Sequence, residues 1–368
     1  MSEEIVYIDA SILENFIRDV FVGLGVPKED ASIIAEVLIT SDLRGIDSHG
    51  IQRCKMYYDR IKEGIYEVKT KIDVIKDGPT TALLDGNCGM GHVIAYKAMQ
   101  MAIEKAKKYG LGAVAVRNST HFGIAGYYSL MAIKEGMIGM AVTNARPSIP
   151  PTFGCEPMLG TNPLTIGAPT DEEFPFLIDC ATSIIQRGKV ELNARINKPL
   201  PENTVIDDNG EIMTDPNNVL NKMLERKASL LPLGGKGEDT AGYKGYGYAT
   251  VVELLSAALQ EGIYLRDTLG ILENDQKRLK VGHFFLAINT ESFIGLTSFK
   301  KTAGNIMRDL RSSRKIPGEE KIYTAGEKEY FAETNRKEKG IPLNRSLQKD
   351  IKIMQDELGL DRYSFPFS

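Results

Sequence analysis

Thr80-Thr81-Ala82-Leu83-Leu84 and Ala113-Val114-Ala115-Val116 are two short β-rich runs, and the segment between them, residues 91–108, reads as a helix. Strand, helix and strand in that order are the unit from which an α/β sheet is built. The alternation continues outward, with a helix expected over 125–135 and strands over 138–143 and 176–179. A further helix is expected over 248–261 and a strand over 282–288. Upstream, residues 9–24, 28–41 and 48–63 carry helical periodicity, with Leu13, Phe16, Ile17 and Val20 marking one face. Residues 328–360 return to helix and are broken at Gly340-Ile341-Pro342. Residues 195–232 are polar and irregular, with Asp207-Asp208-Asn209-Gly210 reading as a hairpin turn. The expected organisation is a helical unit over 1–75, an α/β unit over 76–315, and a tail over 316–368 that folds back on the helical unit.

Bulk composition narrows the class. A chain of 368 residues suits about two domains. A formal charge of −4 gives no electrostatic reason to expect nucleic acid. No apolar run approaches the roughly 18 residues that span a bilayer. Met1-Ser2-Glu3-Glu4 has neither the basic nor the apolar region of a secretory signal. Cys54, Cys88, Cys155 and Cys180 are scattered, as expected of reduced thiols in the cytoplasm. The four histidines are too dispersed for zinc-ligand spacing, which argues against a metal hydrolase and for no metal.

Chemistry points first to Asp47-Ser48-His49-Gly50-Ile51-Gln52-Arg53. If Asp47 or Ser48 caps the third helix, His49 falls in its first turn and Arg53 lies four residues on, along the same face. A proton donor then sits beside a guanidinium fork suited to a carboxylate. Sheet chemistry gathers where strands give way to helices, and three such junctions carry polar groups. One is Arg117-Asn118-Ser119-Thr120-His121-Phe122-Gly123, with a helix opening near His121. Another is Asp179-Cys180-Ala181-Thr182-Ser183, where Asp179 can accept from ribose hydroxyls or cap a helix. The third is the glycine-rich stretch 234–247 with Lys244, which reads as a loop opening the next helix. His92 and His283 have no acidic or cysteine companions and read as structural. No Gly-x-Gly-x-x-Gly follows a strand, and Gly86-Asn87-Cys88-Gly89-Met90-Gly91 has another spacing, so an ordinary Rossmann crossover is not expected.

Taken together, these segments resemble the type 2 malate/L-lactate dehydrogenase family. The resemblance runs through Asp47-Ser48-His49-Gly50 with Arg53, Asn118 to Gly123, Gly160-Thr161-Asn162-Pro163, Asp179 to Ser183 with Arg187-Gly188-Lys189, the glycine-rich stretch, and Ala325-Gly326-Glu327. It implies a homodimeric NAD- or NADP-dependent enzyme on an α/β fold with a non-Rossmann mixed sheet. The helical domain would be formed by the N-terminal segment and the C-terminal tail. The implied reaction interconverts a 2-hydroxy acid and a 2-oxo acid, with malate first, then lactate or sulfolactate. Ureidoglycolate oxidation and cyclic-imine reduction also occur in the family, and a silent nucleotide-binding protein is the alternative from another class. By the same resemblance His49 is the acid/base with Ser48 as its polar partner, His121 competes for that role, and Arg53 and Thr161 contact substrate. Phe122, Gly123, Ile124, Ala125, Gly126, Asp179, Cys180, Ala181, Lys244, Ile322, Tyr323, Thr324, Ala325, Gly326, Glu327 and Lys328 are the implied cofactor contacts. Two positions depart from the pattern: Tyr243 replaces a histidine common in the family, and Ala145 replaces a serine.

Overall fold

In the computed structural model, which describes residues 5–273 and 275–367, the chain begins with β1 (Val6–Ile8) and α1 (Ala10–Gly23). Asp9 starts α1 by accepting the Ser11 N–H at 2.8 Å. After α2 (Lys28–Leu43) come two 3-10 turns, Asp47–His49 and Ile51–Arg53, and only then α3 (Cys54–Lys62). The single helix expected over 48–63, with His49 and Arg53 on one α-helical face, therefore does not form. Its first half is diverted by a buried carboxylate described below.

The sheet strands follow: β2 (Asp73–Asp77), β3 (Thr81–Asp85), α4 (Gly91–Tyr109), β4 (Leu111–Ser119), α5 (Gly126–Lys134), β5 (Met137–Thr143), β6 (Leu164–Ala168) and β7 (Phe176–Cys180). A smaller unit is made by α6 (Arg187–Arg195), β8 (Val205–Asp207), α7 (Pro216–Leu224) and β9 (Ala228–Leu230), packed around Val190, Val205, Val219 and Leu230. Then come α8 (Gly242–Ser256), β10 (Ile271–Glu273), β11 (Gln276–Arg278), β12 (Val281–Asn289) and α9 (Leu296–Ser312). The chain closes with α10 (Glu327–Lys339), β13 (Ile341–Leu343) and α11 (Arg345–Leu358).

Seven strands form one sheet in the order β2-β3-β4-β12-β5-β6-β7. Only β3 and β4 run parallel, joined by the α4 crossover; every other neighbour is antiparallel. The late strand β12 occupies the centre, where Phe285 faces Val114 of β4 and Ala141 of β5. Alternation along β12 sends Phe285 and Ala287 into the core under α4 and α5. Near the start of β12, Gly282 leaves room for the Ser256 carbonyl at the end of α8.

A second core unites the two ends of the chain. Leu13, Phe16, Phe21, Ile34, Leu38 and Tyr57 pack with Ile341, Leu343, Ile351, Met354 and Phe365. Each such fully buried side chain contributes about 1.5–3 kcal/mol over its exposed state. β1 and β13 pair antiparallel, Val6 against Leu343.

Two further expectations need correction. The glycine-rich stretch is a loop only as far as residue 241: α8 begins at Gly242, six residues before the expected start, and ends at Ser256, about one and a half turns earlier than its apolar periodicity suggests. Gly242 and Gly245 are there for close approach, since a Cβ would lie 1.9 Å from the Gly235 carbonyl or 2.3 Å from that of Leu233. The helix expected near His121 opens instead at Gly126, and α7 and α9 were not foreseen. The turn at Asp207–Gly210 does form, with the Gly210 N–H on the Asp207 carbonyl.

Candidate active site

The first wall of the site is set by Asp42, buried near the end of α2. Its Oδ2 accepts the Ile51 N–H at 2.7 Å, which pulls the chain across the carboxylate and stops α3 from starting earlier. Gly50 lies directly over that group, where a Cβ would fall 1.9 Å from Asp42 Oδ1. Burial pushes the Asp42 carboxyl well above the usual range. From α10, Arg336 donates to the Asp42 carbonyl at 2.5 Å and forms an ion pair with Asp47. The loop carrying Ser48 and His49 is thus held from both ends. Ser48 Oγ sits 2.9 Å from His49 Nδ1, and Arg53 Nε donates to the Ser48 carbonyl at 2.7 Å. Burial, and then the Arg53 charge, pull the His49 imidazole down to about 4.

The second wall leaves the end of β4. Asp85 accepts from Arg117 Nε at 2.9 Å and Asn118 Nδ2 at 2.8 Å, holding Asn118 in a left-handed conformation with φ 53°. Ser119 Oγ lies 2.7 Å from His283 Nε2, while Thr120 Oγ1 donates to the Gly89 carbonyl and accepts the Gly91 N–H, both at 2.9 Å. Phe122 is buried and stacks on His283, with ring centroids 4.4 Å apart. These contacts fix His121, whose Nδ1 is 2.5 Å from the Tyr57 hydroxyl. The Gly123 N–H also points at Nδ1, at 3.4 Å. A backbone N–H only donates, so we assign the neutral-ring proton to Nε2. Burial, then the neighbouring His49 and Arg53, hold His121 well below the ordinary histidine value.

The two walls meet with the rings of His49 and His121 stacked. The same two walls continue into a cavity of about 290 Å³, lined by Arg44 and Ile46 from the first and Ile124 and Gly126 from the second. Leu177, Ile178 and Asp179 from β7 and the segment Tyr323, Thr324, Ala325, Gly326, Lys328 and Glu329 complete it. Asp179 caps α5, accepting the Gly126 N–H at 2.8 Å and the Thr165 hydroxyl at 3.0 Å. Burial raises its carboxyl.

Of the expected cofactor contacts, Ile124, Gly126, Asp179, Tyr323, Thr324, Ala325, Gly326 and Lys328 lie on this cavity. Phe122, Gly123, Ala125, Cys180, Ala181 and Ile322 are adjacent in chain but not on its wall. Glu327 turns inward, accepting the Thr324 N–H at 3.1 Å and pairing with Lys321 at 2.7 Å, so it braces the segment instead of facing the cavity. Lys244 is exposed, its Nζ over the Tyr243 ring, and lies off the cavity wall. The Thr161 carbonyl accepts the Thr182 N–H at 2.9 Å, tying that segment to the chain after β7. His92 and His283 are fully buried, as their structural reading requires. Among the described residues no group of histidines, cysteines and acids could hold a metal, and no helix is long and apolar enough to cross a membrane.

Sequence reasoning missed Asp42, Arg44 and Tyr57. One signal was available: Arg53 and Tyr57 recur at four-residue spacing, which is one helical face.

Residues 8–352 match the family described as malate/L-lactate dehydrogenase. The chain is 44% identical to a malate dehydrogenase of Pyrococcus abyssi, over 98% of this chain and 97% of that one. It is 38% identical to an L-sulfolactate dehydrogenase of Methanocaldococcus jannaschii, over 95% and 96% of the two chains. Among solved structures, a malate dehydrogenase from Entamoeba histolytica superposes with a TM-score of 0.94 at 43% identity, covering 99% of this chain and 100% of the other.

Proposed function

The chain belongs to the malate/L-lactate dehydrogenase family, and on that premise we propose that it is an NAD(P)-dependent enzyme interconverting malate and oxaloacetate. The observation that carries the reading is the stacked His49–His121 pair, with Arg53 bonded back to the Ser48 carbonyl, on two segments whose neighbours Ile46 and Ile124 line a cavity. The cavity fits a nicotinamide cofactor. It combines apolar walls (Ile46, Ile124), an acid able to accept from ribose (Asp179), a cation (Lys328) and the segment 324–326 along one wall. Arg44 on the same wall is 5% exposed and keeps Nη2 without a partner. When bound, the cofactor supplies or takes the hydride.

The chain's own residues do the remaining work. Arg53 presents a planar fork to the substrate C1 carboxylate, which orients the molecule as well as binding it. His49 gives a proton to the 2-oxo oxygen in reduction and takes it back in oxidation, with Ser48 Oγ on Nδ1 fixing the ring. His121, fixed by Tyr57, keeps Nε2 for a second contact beside the His49 ring. The free enzyme holds both imidazoles neutral. Burial does most to depress His49; an arriving anion that neutralises Arg53 offsets the positive charge that adds to it and moves the ring toward the donor form.

The reading extends to architecture: residues 1–75 and 316–368 make a helical domain that shares one core, beside an α/β domain over 76–315 whose dinucleotide site is non-Rossmann. A cytoplasmic homodimer is part of it, supported by the family resemblance. The test follows reduced-cofactor absorbance with NADH and NADPH against oxaloacetate, pyruvate and sulfopyruvate. Turnover of oxaloacetate is expected; no turnover of any 2-oxo acid with either cofactor would overturn the assignment.

A further inference from the structure

One helix touches both the cavity and the His49 loop, and it has almost no core of its own. Of the thirteen residues of α10 only Glu327 is buried. A helix that is polar on every side is held by what it bridges, and such an element opens at low cost. Its start is stitched to the sheet. The Leu177 N–H of β7 donates to the Ala325 carbonyl at 3.2 Å, and a Cβ on Gly326, at φ 93°, would lie 2.8 Å from the Pro175 carbonyl oxygen. Tyr323 to Gly326, Lys328 and Glu329 line the cavity at this end.

One turn after Glu329 come Ala332 and Glu333, and about two turns after it comes Arg336, all on one face. All three meet the chain that ends α2 and enters the His49 loop. A Cβ on Gly45 would lie 3.2 Å from the Ala332 Cβ. Arg44, on the cavity wall, donates through Nη1 to Glu333 Oε2 at 3.4 Å. Arg336 reaches furthest along the loop. Its Nη1 donates to the Asp42 carbonyl at 2.5 Å and to Asp47 Oδ1, and its Nη2 donates to Asp47 Oδ2 at 3.1 Å. Asp47 immediately precedes Ser48 and His49. The loop is built from two 3-10 turns, and its Gly50 N–H reaches the Asp47 carbonyl only at 3.4 Å, so outside contacts decide its shape. Asp47 is exposed, and an exposed ion pair adds little to stability. A two-pronged guanidinium–carboxylate contact does fix direction, and position is what this pair supplies.

We propose that Arg336 is a positioning residue: it seats the Ser48–His49 loop through Asp47, and so carries to that loop the ordering that a bound cofactor imposes on α10. Cofactor binding then tightens substrate binding. This rests on the dehydrogenase reading above and names how its two sites are coupled.

The experiment reads binding without turnover. Calorimetry gives the affinity for malate of the free enzyme and of enzyme saturated with NADH or NADPH, whichever binds. Hydrogen exchange follows residues 327–339 and 45–53 with and without that cofactor. In the wild type, malate is expected to bind about 10-fold tighter to the loaded enzyme, with exchange slowed by cofactor in both segments. In Arg336→Gln the cofactor still binds within about 3-fold and still protects 327–339, while protection of 45–53 is lost and the malate effect falls below about 3-fold. Arg336→Lys, which keeps a charge beside Asp47, recovers part of the effect. Asp47→Asn reproduces Arg336→Gln, and the double variant is no worse than either. An undiminished effect in Arg336→Gln, a wild type with none, or a variant that loses cofactor binding as well overturns the proposal and leaves the dehydrogenase reading intact. A wild type that binds neither NADH nor NADPH overturns that reading, and the coupling with it.

Discussion

His49 and His121, 72 positions apart in sequence, stack with ring centroids 5.7 Å apart and 22° between their planes. Two imidazoles this close act as one unit, because protonating either raises the cost of protonating the other. The roles can be divided only by removing one ring at a time.

His49→Ala is expected to lower turnover by about 10²–10⁴-fold, the range for loss of a general acid/base, with cofactor affinity nearly unchanged. His121→Ala should cost less, since its ring is anchored to Tyr57 and positions the substrate oxygen. The double variant should be little worse than His49→Ala alone, as for residues acting together. Stopped-flow hydride transfer and fluorescence titration of reduced cofactor check both parts. Full activity in His49→Ala would transfer the proton to His121.

The pH profile follows from the lowered imidazoles. In the free enzyme His49 stays neutral down to about 4, so kcat/KM for hydroxy-acid oxidation should show no histidine inflection between about pH 5 and 8. Reduction needs the protonated ring, so its kcat/KM should fall steadily as pH rises across that window. Arg53→Gln removes a charge that lowers His49 and should shift the oxidation inflection upward. An unperturbed inflection near 6.5 in the wild type would contradict this account.

Much of the fold was legible because α4 and its flanking strands β3 and β4 form a local unit with turn residues at both ends. The N-terminal helices were legible for the same reason, and so was the break at Gly340. What escaped was non-local. Nothing in residues 281–289 announces that this strand inserts between β4 and β5, and nothing near Gly50 announces that Asp42 lies beneath it. The glycines opening α8 suggested a loop because their purpose, contact with the 233–235 backbone, is invisible in the chain order. At the site, His49, Arg53 and His121 were conspicuous by residue type. Tyr57 was not, since a tyrosine among apolar residues reads as core, which it also is.

The Gly50–Asp42 contact yields a stability prediction. Gly50→Ala places a methyl inside the Asp42 carboxylate, and overpacking of this kind costs about 1–3 kcal/mol. The loop should shift and activity should fall with it. Asp42→Ala alone also destabilises, by leaving the Ile51 N–H without its acceptor. Combined, the two should cost less than their sum, because the second removes the group against which the first collides. Urea melts of the two single variants and the double variant measure the coupling. Strict additivity would mean that the chain avoids the clash by another route.

Acid should weaken the fold before the carboxylates titrate. His92 and His283 are fully buried and pulled down to about 3 by desolvation, and His49 and His121 are lowered as well. Their folded values lie below the unfolded value of about 6.5. As pH falls through 6.5, the unfolded chain therefore binds protons that the native state refuses. Stability is lost from about pH 6.5 downward until the native rings themselves titrate, at up to about 1.4 kcal/mol per pH unit for each site. Asp30, Asp42 and Asp179, raised by burial, act in the opposite sense below their own folded values. His92 is the cleanest probe, because among the described residues both ring nitrogens lack a partner and its ring packs edge-on against Tyr57 at 4.7 Å. His92→Leu should reduce the slope of Tm against pH between about 6.5 and 4 by one proton's worth. Parallel curves for the two proteins would show that His92 binds its proton equally in the native and unfolded chains, against the burial argument.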